Sequence, residues 1–159
     1  MPNSGNVTTE EGSSVSYKNE FPVVLWIHTN SKYNADELKI CNKAVRNLYK
    51  LAISSGVDEK FVKETLEKAN ADYPHNRLGR MVSLCLRHNI PREDILVCLM
   101  NIDGDHVLTL LAAVRKFLSQ TLSNGISLKG LKCPECGAGL IMQEGCQKCS
   151  SFCGWSACG

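Results

Sequence analysis

Six of the nine cysteines lie in the last 27 residues, Cys133 to Gly159, as the pairs Cys133/Cys136, Cys146/Cys149 and Cys153/Cys158. The first four read C-x2-C, nine residues, C-x2-C. That layout is the one by which two tight turns each present two thiolates to a single tetrahedral zinc ion. The segment between the pairs has little apolar content beyond Leu140, Ile141 and Met142, too little for a core of its own. Coordination by four thiolates, worth about 10–16 kcal/mol in comparable small sites, is what lets such a segment fold. A metal-free redox cluster is the competing reading.

The choice of ligands has two solutions on spacing. Gly137 follows the first pair, as a chelating turn favours, but Ser150 follows Cys149 while Gly154 follows Cys153. Cys149/Cys153 at C-x3-C spacing therefore competes with Cys146/Cys149 as the second half of the site. The tighter C-x2-C spacing favours Cys133, Cys136, Cys146 and Cys149 as the metal ligands. Cys153 and Cys158 are then left over, as spare ligands, incidental thiols or a redox pair. A flexible dithiol near a chain end can exchange with a disulfide elsewhere, whereas a thiolate held by zinc cannot.

Other reactive side chains have plainer explanations. Cys41, Cys85 and Cys98 fall on or beside apolar helical stripes, where a free cysteine is a small inert hydrophobe. His28, His75, His88 and His106 show no spacing that couples them to a cysteine or an acid. Arg77, Arg80 and Arg87, with Arg92 nearby, form a basic helix face that reads first as solvated and second as a phosphate or acidic-partner surface.

The elements that must carry these residues follow from periodicity. Residues 1–17 are rich in Ser, Thr, Asn and Gly and read as a flexible N-terminal segment. FPVVLWIH, residues 21–28, reads as a strand that Pro22 confines to an edge or a strand start. Five helical stripes follow. Asn34 caps the first, which ends at Gly56, and Asp58 caps the second; Asn76 opens the third, Pro91 the fourth, and Asp105 caps the fifth. The expected fold is mainly α (small α+β), about five helices with a short strand element, followed by a C-terminal zinc-ribbon appendage. Its divisions are 1–17, a mainly helical domain 18–122, a linker 123–130, and the cysteine module 131–159.

A net charge of +2, with 43% hydrophobic and 21% charged residues, fits a globular chain. No apolar run nears the roughly 20 residues that span a bilayer, and the N-terminus has no signal-peptide pattern. An odd cysteine count with CxxC pairs points to a reducing, cytoplasmic setting. Residues 126–159 hold Lys129, Lys132 and Lys148 against Glu135 and Glu144, a poor basis for nucleic-acid binding.

Two stretches resemble one family. The tail, Cys133-Pro134-Glu135-Cys136-Gly137, Glu144-Gly145-Cys146, Cys149 and Cys153-Gly154-Trp155-Ser156-Ala157-Cys158, resembles the C-terminus of adenosylcobalamin-dependent (class II) ribonucleotide reductases. Leu78 to Pro91, with Ile95 and Leu99 to Ile102, resembles the helix pair that precedes that tail. The resemblance implies zinc on Cys133, Cys136, Cys146 and Cys149. It also implies that Cys153 and Cys158 form the thiol shuttle that re-reduces an active-site disulfide during deoxyribonucleotide synthesis. A thioredoxin-like reductant would regenerate the shuttle. Ser150-Ser151-Phe152 is one residue longer than the family's usual spacing. The family's catalytic barrel and cobalamin site are absent, so a large catalytic polypeptide binding adenosylcobalamin is the expected partner. Alternatives are a zinc-ribbon module for nucleic acid or protein, or a regulator that docks on a reductase without supporting turnover.

Overall fold

The computed structural model describes residues 4–8, 13–18, 21–27, 35–69, 74–100, 102 and 109–158. Among them are five helices and seven strands, the strands in two antiparallel sheets. The mainly α expectation is therefore wrong: the chain is α+β.

The first sheet is a meander of β1 (Ser4–Thr8), β2 (Ser13–Lys18) and β3 (Phe21–Ile27), in that spatial order. Strands thus stand where composition suggested a flexible lead-in. Ser-rich strands carry no strong apolar signal, and here pairing with β3 supplies the order. Val15 lies opposite Leu25 in the register, and both are buried. Pro22, which cannot donate to a ladder, sits beside the register shift at Ser16/Tyr17 on the edge strand β3.

Helix α1 (Ala35–Ser54) buries Ile40, Cys41, Ala44, Val45, Leu48 and Ala52, a 3.6-residue stripe. It ends at Gly56, whose φ of 95° only glycine adopts easily. Helix α2 (Glu59–Glu67) buries Val62 and leaves Phe61 46% exposed. The central helix, α3 (Pro74–Arg87), buries every residue from Met81 to Leu86 between β3 and α1. Its Ser83 Oγ accepts the Leu25 N–H at 2.9 Å and lies 3.2 Å from Leu25 O and 2.8 Å from Gly79 O. One hydroxyl thus satisfies backbone groups on the open edge of β3 that would otherwise be buried unpaired.

Helices α4 (Arg92–Cys98) and α5 (Thr109–Gln120) complete the body. The Arg92 guanidinium donates to Thr121 O, so this arginine ties α4 to the end of α5 rather than extending a basic face. The expected caps Asn34 and Asp105 lie outside the described residues, as do His28 and His106. No helix of the described residues is long and apolar enough to cross a membrane.

The second sheet runs in chain order: β4 (Ser127–Lys132), β5 (Gly139–Gln143), β6 (Cys146–Cys149) and β7 (Ser156–Cys158). It is not an appendage. Leu128, Leu131, Leu140 and Met142 are buried in the same apolar cluster as Leu96 and Leu99, and β4 packs on α4. A register shift between Leu128 and Lys132, with Gly130 at φ 85°, lets two leucines three residues apart share that face. The bulge hides the two-residue period that would have marked the strand in the sequence. The expected linker, residues 123–130, is partly inside this sheet: Gly125 N donates to Met142 O and Met142 N to Ile126 O.

Candidate metal centre

Two turns at one end of the second sheet bring four thiols together. In the first, between β4 and β5, Gly137 N donates to Cys133 O at 2.8 Å and Cys133 N to Ala138 O at 2.7 Å. Gly137 takes φ 77°, a left-handed conformation that explains the glycine after the CPxC. The second turn leaves β6 at Cys149 and passes through Phe152 to Cys153 and Gly154. Phe152 N donates to Cys149 O, Cys149 N to Trp155 O, and Gly154 takes φ 101°.

The sulfurs of Cys133, Cys136, Cys149 and Cys153 all lie within 4.8 Å of one another. Cys136 and Cys149 are 3.3 Å apart, and Cys133 and Cys153 are 3.7 Å apart. A tetrahedron with metal–sulfur bonds of about 2.3 Å has edges of about 3.8 Å. Four thiols at this separation, two buried and two exposed, can hold a metal ion, and the all-sulfur donor set is compatible with zinc.

The expected ligand set, Cys133, Cys136, Cys146 and Cys149, is not the one brought together. Cys153 stands where Cys146 was expected. The reason is local geometry: residues 146–149 are a strand, and side chains three apart on a strand project to opposite faces. A strand cannot be a chelating turn. Upstream, Glu144 and Gly145 take φ of 52° and 79°, the paired left-handed conformations of a two-residue hairpin. That hairpin sets β6 against β5, with Gln143 opposite Cys146 and Leu140 opposite Cys149. The sequence did contain the signal, in Gly154: both halves of the cluster end in Cys-Gly.

Cys146 is disulfide-bonded. In the backbone register of the β6–β7 ladder Cys146 stands opposite Cys158, Gln147 opposite Ala157 and Lys148 opposite Ser156. The six cysteines of the tail thus divide between two ends of one strand.

Thiol acidity within the cluster is uneven. A hydrogen bond from Ser151, 3.0 Å from the Cys149 sulfur, leads the effects that lower that thiol to about 6. The Cys153 thiol has its thiolate favoured by the Trp155 backbone, but desolvation and hydrogen bonds with Cys149, Cys133 and Cys136 push it up overall. Four sulfurs this close cannot all ionise without a cation among them, and a bound divalent ion reverses that balance. Compared with protein-family models, curated proteins and solved structures, the chain matches none.

The remaining cysteines belong to the interior. Burial drives the Cys85 thiol up to about 12 and that of Cys98 to about 11. Cys98 and Asn47 clasp α4 to α1, the Asn47 amide donating to Cys98 O at 3.0 Å. His88 donates from Nδ1 to Leu84 O at 2.9 Å, one turn back on α3.

Proposed function

We propose that this chain is a thiol–disulfide exchange component of an adenosylcobalamin-dependent ribonucleotide reductase whose catalytic polypeptide is separate. Zinc sits on Cys133, Cys136, Cys149 and Cys153, and Cys146 with Cys158 forms the working dithiol. The observation that carries this reading is the division of the tail. Cys146 is in a disulfide and stands opposite Cys158 in the backbone register, while four other cysteines converge on a cluster that could hold a metal ion. Cys153, named above with Cys158 as the shuttle, is engaged in the cluster, so the exchange pair passes to Cys146 and Cys158.

In the reaction, a thiolate of the reduced pair attacks one sulfur of the partner's active-site disulfide and displaces the other as thiolate. The second thiol of the pair then attacks the mixed disulfide. The partner gains two electrons and two protons as a dithiol, and Cys146 and Cys158 are left as a disulfide. A thioredoxin-like dithiol reverses that oxidation by the same two steps. Zinc, when bound, fixes the two turns that hold β6 and contributes no step. Such exchange belongs in a reducing compartment, and we place the chain in the cytoplasm.

Multiple turnover by a reductase lacking its own cysteine tail, supplied with adenosylcobalamin and a thioredoxin-type reductant, tests the reading. Cys146→Ser and Cys158→Ser should each abolish it and leave one zinc per chain. Undiminished turnover with Cys146→Ser would refute the assignment.

A further inference from the structure

Away from the cysteines, a cavity of about 210 Å³ opens between β3, α2 and α3. Arg80, Arg87, His88 and Phe61 are among its lining residues, and none of its described lining residues is an acid. Arg80 and Arg87 are seven residues apart on α3, two turns or about 10 Å along the axis and on nearly the same line. They flank one strip whose floor includes Gly79 and Ser83. Gly79 contributes no side chain to that floor, and the Ser83 hydroxyl is already committed to Leu25 and Gly79.

The two guanidiniums are exposed, and neither has an ion-pair partner among the described residues. The Nε of Arg80 donates to Asn76 Oδ1 at 3.0 Å, which orients the fork and leaves its terminal nitrogens available. Phe61 stands at the rim with its ring centroid 5.6 Å from that of His88, tilted by 58°. It is one of only two strongly exposed large apolar side chains among the described residues. Two forks of like charge, that of Arg80 held by Asn76, match the oxygens of a phosphate chain, and an open aromatic face matches a planar heterocycle.

We infer that this cavity binds a nucleotide, with the phosphates on Arg80 and Arg87 and the base against Phe61. Its volume is below the roughly 300–1,000 Å³ of sites that engulf a whole drug-sized ligand. It therefore encloses the phosphate end, and the base rests on the rim. The cavity lining and the cysteine cluster share no residue.

Calorimetric titration of the full chain with ATP, tripolyphosphate and adenosine tests it. ATP should bind, tripolyphosphate more weakly, and adenosine without measurable heat. Arg80→Gln and Arg87→Gln should each weaken ATP about tenfold or more, as loss of a charge-assisted bond does. Both positions are exposed, so helical circular dichroism should be unchanged. Phe61→Leu should weaken ATP and leave tripolyphosphate unaffected. Absence of ATP binding, or ATP binding equal in wild type and both arginine variants, would overturn the site. Tripolyphosphate as tight as ATP would overturn the base contact.

Discussion

The two sheets solve the same problem by different means. The first lies on α3 and is secured where Val15 and Leu25 meet the core and Ser83 closes the open edge of β3. The second buries Leu128, Leu131, Leu140 and Met142 near α4 but extends beyond the reach of the helices. At that far end Cys133 and Cys149 close the apolar cluster, Ala138 and Trp155 pack against it, and the four sulfurs stand together. Packing holds both sheets, and the second has in addition a cluster of four sulfurs that could hold a metal ion.

The sharpest test separates the two ends of β6. Cys149→Ser should lose the bound metal and a large part of the about 10–16 kcal/mol that such sites contribute. Amide exchange should then rise across β5–β7 and stay low in α1 and α3. Cys146→Ser should retain metal at one per chain, measured by elemental analysis. Equal metal loss in both variants would erase the distinction between the ends.

A smaller effect is expected in the first sheet. Ser83→Ala leaves the Leu25 amide buried without its acceptor and should destabilise the chain by about 1–3 kcal/mol in urea unfolding. Faster exchange should be confined to β2 and β3, and an equal rise in β5 would show that the sheets are not secured separately. The smallest effect lies in the turn at the metal centre. Phe152 is 79% exposed and adopts φ 57°, which an ordinary residue tolerates at about 1–2 kcal/mol. Phe152→Gly should raise the melting temperature slightly, or leave it unchanged once glycine's added freedom in the unfolded chain is set against the relief. A marked fall would mean that the ring makes a contact worth more than the strain.

Legibility in the sequence tracks how locally each feature is determined. Helical stripes such as Leu78, Met81, Val82 and Cys85 repeat at the period that buries them, so five helices were readable. Strands β1 and β2 were not, because SGNVT and SSVSYK take their order from a neighbour rather than from their own composition. In the tail, the concentration of cysteines announced a cluster that could hold a metal, but which four cysteines converge turned on backbone shape. C-x2-C looks the same in a turn and in a strand. What separates Cys133/Cys136 from Cys146/Cys149 is the Glu144–Gly145 hairpin, which makes the second pair a strand.

The register opposite Cys146 has a consequence for the ion itself. A bond between residues 146 and 158 closes a loop that contains both Cys149 and Cys153. Closing a loop of that size removes about 3 kcal/mol of chain entropy from the unfolded state. Such a bond would tether two of the four candidate ligands before any ion arrives, and would link oxidation to metal affinity. By reciprocity, an ion held in place would make that oxidised pair harder to reduce.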